Sequence, residues 1–221
     1  MNMTWPRLVK ASYLLLLMVI LPVMGCAVNA QSDRVLGASQ IPPAFADVYQ
    51  EVSSATSIPV LVPTAFPREA LREPDADVPL YTSIDLAERN QYEINFDAID
   101  GCFGAGYCTF GAMGAQRITR DTPSVDEQYA YFLDPNYQPV RRSEEPIANV
   151  RLTGDIEGIF IPWVCGANCS AAKVYWEQEG IRYFVGIRMA DMDTVVALAN
   201  SMIENAPSPN ELNETSVGEE E

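Results

Sequence analysis

The sequence predicts an α+β fold: a largely antiparallel sheet of about six or seven strands, with a C-terminal amphipathic helix packed on one face. Three observations predict it. Runs with period-two alternation recur between residues 91 and 188. Short glycine-bearing turns separate most of them, and short turns join antiparallel neighbours. One stretch near the C-terminus then switches to helical period and shows a single apolar stripe, which a sheet face can cover.

In chain order, residues 27–57 are mixed in composition and rich in small side chains. Ile41-Pro42-Pro43 interrupts this stretch, and Phe45, Val48, Tyr49 and Val52 follow at helical spacing. A short helix over 43–52 with a favourable proline start is therefore expected, inside a tether spanning 26–56. A single globular domain is expected over 57–204. Its first run, 57–63, reads as an apolar strand, and its prolines place it at an edge because they cannot donate to a ladder. Residues 64–79 read as irregular, with one helical turn over 68–72.

Residues 91–98 form the cleanest strand. Tyr92, Ile94, Phe96 and Ala98 share one face, and Glu93, Asn95 and Asp97 the other. The glycine-rich turn from Cys102 to Cys108 leads into a strand of small residues over 109–118, which completes a hairpin. Residues 121–146 carry Pro123, Pro135, Pro139 and Pro146 with Tyr129, Tyr131, Phe132 and Tyr137 between them. Long loops on a rigid scaffold often carry function. These four aromatics are the candidate binding residues for a glycan or a protein partner; the plainer alternative is that they pack back onto the sheet. A second hairpin is expected over 150–164, turning at Gly154-Asp155. A third joins 173–178 to 181–188 through Glu179-Gly180. In its second strand Ile181, Tyr183, Val185 and Ile187 share a face. The helix over 191–203 then presents Val195, Leu198, Ala199, Met202 and Ile203 as its stripe, with Asp191 as N-cap. The last stretch, 205–221, has five acidic residues and two prolines, and is expected to be disordered.

The chain has 221 residues, 30 acidic and 14 basic, and no histidine. Its net charge of −16 excludes nucleic acid as a natural partner. The absence of histidine removes Ser-His-Asp and Cys-His mechanisms and histidine metal sites. No cofactor or metal is expected. Ser170-Ala-Ala-Lys173 spells the S-x-x-K of penicillin-binding enzymes, but the companion S-D-N and K-T-G elements are missing. Gly104-Ala-Gly106 lacks the context of a dinucleotide fingerprint, and Asp75-Ala-Asp77 lacks a calcium loop. Asp97 with Asp100, or Glu93 with Asp97, are the carboxylate pairs available for glycoside hydrolysis, although acidic residues are common enough here to pair by chance.

Arg7 and Lys10 precede an apolar run over 11–23, shorter than a membrane span and interrupted by Pro22. Residues 1–25 thus read as an export signal. Val23-Met24-Gly25-Cys26 resembles the lipobox of bacterial lipoproteins. That resemblance covers only the first 26 residues, and Val23 and Met24 depart from the usual choices. It implies that Cys26 becomes the first mature residue, carries lipid and attaches the chain to the membrane on the periplasmic or outer side. Cleavage after Ala30 is the competing site, and an uncleaved anchor a third option. Removing 1–25 leaves 12 basic residues against 30 acidic, a net −18. The ending over 150–204 is loosely similar to that of uncharacterised exported bacterial proteins, and the likeness implies no activity.

Either cleavage leaves Cys102, Cys108, Cys165 and Cys169, an even count that suits disulfides in an exported chain. Local pairing, 102–108 and 165–169, is the expected connectivity. On the chain-entropy model each small loop contributes about 2 kcal/mol, and a long-range link about 4 kcal/mol. Energy favours the long link; turn-like composition favours the short ones. A four-cysteine zinc site is the rival, and its usual spacing of two to four fits only the second pair. Three functions follow as expectations, the third being a sensor or regulator acting through the aromatic loop over 121–146. The first is a lipid-anchored, non-catalytic envelope protein that binds a partner, glycan or lipid. The second is a carboxylate-dependent glycan or cell-wall hydrolase.

Overall fold

The computed structural model describes residues 41–66, 80–134 and 136–206. They hold nine strands: β1 (Tyr81–Glu88), β2 (Gln91–Asp97), β3 (Thr109–Arg117), β4 (Arg141–Arg142), β5 (Ala148–Leu152), β6 (Ile156–Ile161), β7 (Val164–Cys165), β8 (Ala171–Gln178) and β9 (Ile181–Arg188). Three α-helices accompany them: α1 (Ala46–Ala55), α2 (Val125–Gln128) and α3 (Met192–Glu204). Seven strands form one antiparallel sheet in the order β1-β2-β3-β9-β8-β6-β5, and β4 pairs with β7 apart from it. The fold is therefore α+β, with α3 packed on the sheet.

Alternation sorts the sheet residues onto two faces. On the inner face, Tyr92, Ile94 and Phe96 of β2 lie with Met113 and Ala115 of β3, and all are buried. Tyr183, Val185 and Ile187 of β9 and Val174 and Trp176 of β8 continue that face. Phe96 is the centre of an aromatic group, with Phe66 at 5.1 Å, Phe45 at 6.0 Å and Phe110 at 6.2 Å between centroids. Each such pair adds about 0.5–1.5 kcal/mol beyond area burial.

α3 covers this face as its stripe requires: Val195, Leu198, Ala199 and Met202 are fully buried, and Ile203 is half-buried. The Asp191 carboxylate caps it by accepting from the Thr194 N–H at 2.8 Å. The Glu145 carboxylate accepts from the Met192 N–H at 3.0 Å, which satisfies a second free donor of the first turn.

The short helix expected over 43–52 is present as a 3-10 turn, Pro43–Phe45, leading into α1. It is not a tether. Phe45 and Val52 are buried in the core, and Thr82 Oγ1 donates to the Ala44 carbonyl at 2.6 Å. The tether expected over 26–56 therefore does not extend beyond residue 40, and Ile41 onward belongs to the packed domain. The edge strand expected over 57–63 is also corrected. Ile58, Val60, Leu61 and Val62 are buried, but the segment joins no ladder. Pro59 and Pro63 lack the donors a ladder needs, so side chains serve the backbone instead. Leu61 N–H donates to the Tyr92 hydroxyl at 3.1 Å. Thr64 and Ala65 N–H both donate to the Ser201 hydroxyl at 3.0 Å, and Asn205 Nδ2 donates to the Val62 carbonyl at 3.0 Å. The helical turn expected over 68–72, the signal over 1–25 and most of the tail over 205–221 lie outside the described residues.

Candidate functional site

The outer sheet face is hollow at its centre, and the register explains why. One cross-strand row reads Glu93, Gly114, Phe184, Tyr175 and Ile159; the next reads Asn95, Ala112, Gly186, Lys173 and Ile161. Glycine or alanine therefore fills the two middle strands at three of four positions. A Cβ on Gly114 would lie 2.8 Å from the Phe184 ring, and one on Gly186 would lie 2.6 Å from Lys173 Cγ. The Phe184 ring and the Lys173 stem thus lie flat over a glycine floor.

The hollow opens into a cavity of about 410 Å³. Glu93, Lys173, Tyr175, Phe184, Gln116 and Gln128 line it. Glu93 and Lys173 start three strands and one row apart, about 16 Å at the backbone for a spacing of ~4.8 Å and a rise of ~3.3 Å per residue, and both side chains reach the same space. Burial pushes the Glu93 carboxyl above the usual carboxylate range; Lys173 opposes the shift and Asp85 adds to it. Burial likewise pulls the Lys173 ammonium below its ordinary value, with Glu93 opposing. Among the described residues no ion pair within 4 Å joins the two. The ammonium sits instead 4.7 Å from the Phe184 ring centroid, a cation–π contact. Partly desolvated charges of opposite sign that make no ion pair on one cavity make it the candidate ligand site.

The loop over 121–146 builds the roof. The capping box of α2, in which the Ser124 hydroxyl and Glu127 carboxylate satisfy each other's backbone N–H, starts it. The buried Arg182 guanidinium donates to the Pro123 carbonyl at 2.6 Å and to Glu177 at 2.8 Å, which ties the loop to β9. Tyr129 and Tyr175 share a 2.7 Å hydroxyl hydrogen bond. Burial raises the pKa of both, and Glu93 adds to each shift. The four candidate aromatics pack on one another. Tyr131 lies 4.8 Å from Phe132 and 5.1 Å from Tyr137, and Tyr129 lies 5.9 Å from Phe132. Tyr129 and Phe132 join a small core with Val125, Ile161 and Tyr175. The loop's aromatics thus fold back onto the sheet, and only Tyr131 keeps nearly half its surface in solvent.

Cys102 and Cys108 are bonded at 2.02 Å, and Cys165 and Cys169 at 2.08 Å. Pairing is local, because each pair closes a turn that already brings its ends together. The zinc alternative needs four free thiolates, which these bonds consume. Cys26 lies outside the described residues. Asp97 is 1 % exposed and accepts from the Ser83 and Thr109 hydroxyls at 2.6 Å, so it is not presented to a glycan. Asp100 stands exposed in the following turn. Ser170 and Lys173, three apart at the start of a strand, fall on opposite faces; the Ser170 hydroxyl accepts from Val164 N–H at 2.9 Å.

Two larger cavities, of about 660 and 620 Å³, are lined by charges that are exposed or already paired; Glu157 in the first and Arg142 and Glu144 in the second stand in solvent. In the first, Arg151 pairs with Asp155 and Glu177 with Arg182. In the second, Glu145 is occupied in capping α3. Sequence reasoning missed the Glu93–Lys173 arrangement. Its signal was Ala112, Gly114 and Gly186 at outer-face positions, where a filled sheet would carry larger side chains. Compared with known proteins, the chain matches no family model, no curated relative and no solved structure.

Proposed function

We propose that the chain is an exported envelope protein, attached to the membrane through a lipid on Cys26, whose domain binds a small polar ligand without transforming it. The observation that carries the binding role is the pair of unspent charges, Glu93 and Lys173, on one roofed cavity. Two disulfides fit an oxidising location, and among the described residues no helix is long and apolar enough to cross a membrane. The lipobox resemblance supplies the anchor. A soluble glycan, a wall-derived peptide fragment or a protein's polar side chain all suit a cavity that offers an acid, an ammonium and three amides.

The test is a thermal-shift screen of the exported protein against soluble wall fragments, oligosaccharides and amino acids. A compound should raise the melting temperature of the wild type and fail to do so for Glu93→Gln and Lys173→Met. An equal response from both variants rejects the cavity as the site. The mature N-terminus decides the anchor by mass: a plain Gln31 start ends that part of the proposal.

A carboxylate-dependent glycan hydrolase is the second reading. One observation favours it: Glu93, held protonated to a higher pH than an ordinary carboxyl, has a second carboxylate, Asp85, in its electrostatic neighbourhood. Release of reducing ends from wall polymer, lost in Glu93→Gln, would establish it in place of simple binding.

A further inference from the structure

Among the described residues, four of the five large hydrophobic side chains that stand exposed lie at one end of the sheet. Phe103 is 80 % exposed, Tyr107 82 % and Val140 80 %, with Ile99 beside them in the chain. The register places them together. The 98–108 loop joins β2 to β3 where Tyr81 pairs with Asp97. Arg188, at the end of β9, donates to the Gly106 carbonyl at 2.6 Å and ties that loop down. Ala171 pairs with Arg188, so the Cys165–Cys169 turn opens at the same end. Val140 N–H donates to the Cys165 carbonyl at 2.9 Å and brings the last of the four there.

These side chains are held out, not left loose. The Cys102–Cys108 bond closes the loop that bears Phe103 and Tyr107. Phe103 takes φ +48° between Gly101 and Gly104, both also at positive φ. A bulky residue seldom adopts that backbone, and no core contact requires it of a ring so exposed. Gly104 itself packs on Asn95, where a Cβ would meet the amide nitrogen at 2.6 Å, so the loop cannot settle further inward.

The chain also enters the domain at this end. Ala44 is bonded to Thr82 at the start of β1, and α1 then runs to the far end, where Ser57 N–H meets the Arg89 carbonyl. Fourteen residues lie between Cys26 and Ile41, a reach of at most about 50 Å. A lipid on Cys26 therefore leaves this end within reach of a bilayer.

We propose that the disulfide-closed end of the sheet rests on the bilayer surface, with Phe103 and Tyr107 seated among neutral phospholipid headgroups. Aromatic rings prefer that boundary layer, where one edge is apolar and the other wet. Arg141 and Arg142 are exposed at the same end and suit lipid phosphates. The net charge of −16 opposes an anionic leaflet, and Asp100 on the loop does too, so zwitterionic lipid is the occupant. The tether argument rests on the anchored reading above; the exposed rings do not.

The test uses the full chain carrying Phe103→Trp or, separately, Tyr107→Trp, mixed with phosphatidylcholine vesicles that contain brominated chains. Arg120→Trp at the opposite end is the control. The added indole at 103 and at 107 should shift to the blue and lose most of its emission to bromine, and the indole at 120 should do neither. If the protein floats with the vesicles yet both indoles stay solvent-like, attachment lies elsewhere in the chain and this surface proposal falls. If both are quenched while mass shows Cys26 unmodified, the surface proposal stands and the anchor falls. A blue shift that grows with protein concentration in the absence of lipid assigns the patch to a second copy of the chain and overturns the proposal.

Discussion

Removal of one oxygen atom tests how the inner face is closed. Tyr92 is buried, and its hydroxyl accepts the Leu61 N–H at 3.1 Å. Burial raises its pKa far above the ordinary value, and the Leu61 bond opposes that shift. Tyr92→Phe keeps the ring and its packing but leaves a buried backbone donor with no partner. Such an orphan costs about 1–3 kcal/mol, out of a total stability of ~5–15 kcal/mol. In a domain of this size each kcal/mol lowers Tm by roughly 2–4 °C. Tyr183→Phe is the matched control. That ring is also buried and stacks on Trp176 at 5.5 Å, but its hydroxyl makes no hydrogen bond among the described residues. Urea unfolding monitored by circular dichroism should rank Tyr92→Phe well below Tyr183→Phe, with unchanged m-values. Equal stabilities for the two would mean that Leu61 N–H finds water, and the account of how 57–63 is held would be wrong.

Glu93→Gln should raise the unfolding free energy at neutral pH. The folded carboxyl has a raised pKa, so its ionisation penalises the folded state as pH climbs from the ordinary carboxylate range through the raised value. The gain should vanish below the ordinary carboxylate pKa, where Glu93 is neutral in both states; a gain equally large in acid would refute the burial argument. Reduction of both disulfides with a phosphine should cost about 2 kcal/mol for each loop, read as a fall in the urea midpoint. A midpoint that does not move would mean the unfolded chain gains no freedom from opening these small rings. Asp191→Ala should cost about 1 kcal/mol by removing the cap on Thr194 N–H, with the loss seen first as faster amide exchange in the opening turn of α3.

The hairpin of β8 and β9 was legible because its alternation is unbroken and Glu179-Gly180 supplies both positive φ values of the turn. The stripe of α3 was legible for the same kind of reason: Val195, Leu198, Ala199 and Met202 are one face of one helix. β1 escaped notice. Its register shifts between Ile84 and Leu86, so the alternation that identifies a strand breaks in its middle. The run over 57–63 misled in the opposite sense. Its apolar content is real, but proline denies it a ladder, and the side chains that serve it, Tyr92, Ser201 and Asn205, lie far along the chain. The cavity was hidden by distance. Glu93 and Lys173 are 80 positions apart, and only the cross-strand register makes them neighbours. Asp97, the more conspicuous carboxylate in the sequence, proves to be spent on Ser83 and Thr109.

The pairing of β3 with β9 joins residues about 70 positions apart, whereas the β1-β2-β3 ladders and the β8-β9 ladder are made by near neighbours. The sheet is thus two meanders sewn along one seam. Glu93 belongs to the first half; Lys173, Tyr175 and Phe184 belong to the second. Neither half owns this cavity alone, so whatever fills it clamps the halves together. A ligand at a hundredfold excess over its Kd would strengthen the closed form by about 2.7 kcal/mol, and a chain that has lost this seam, even with every hairpin intact, would have lost the cavity as well.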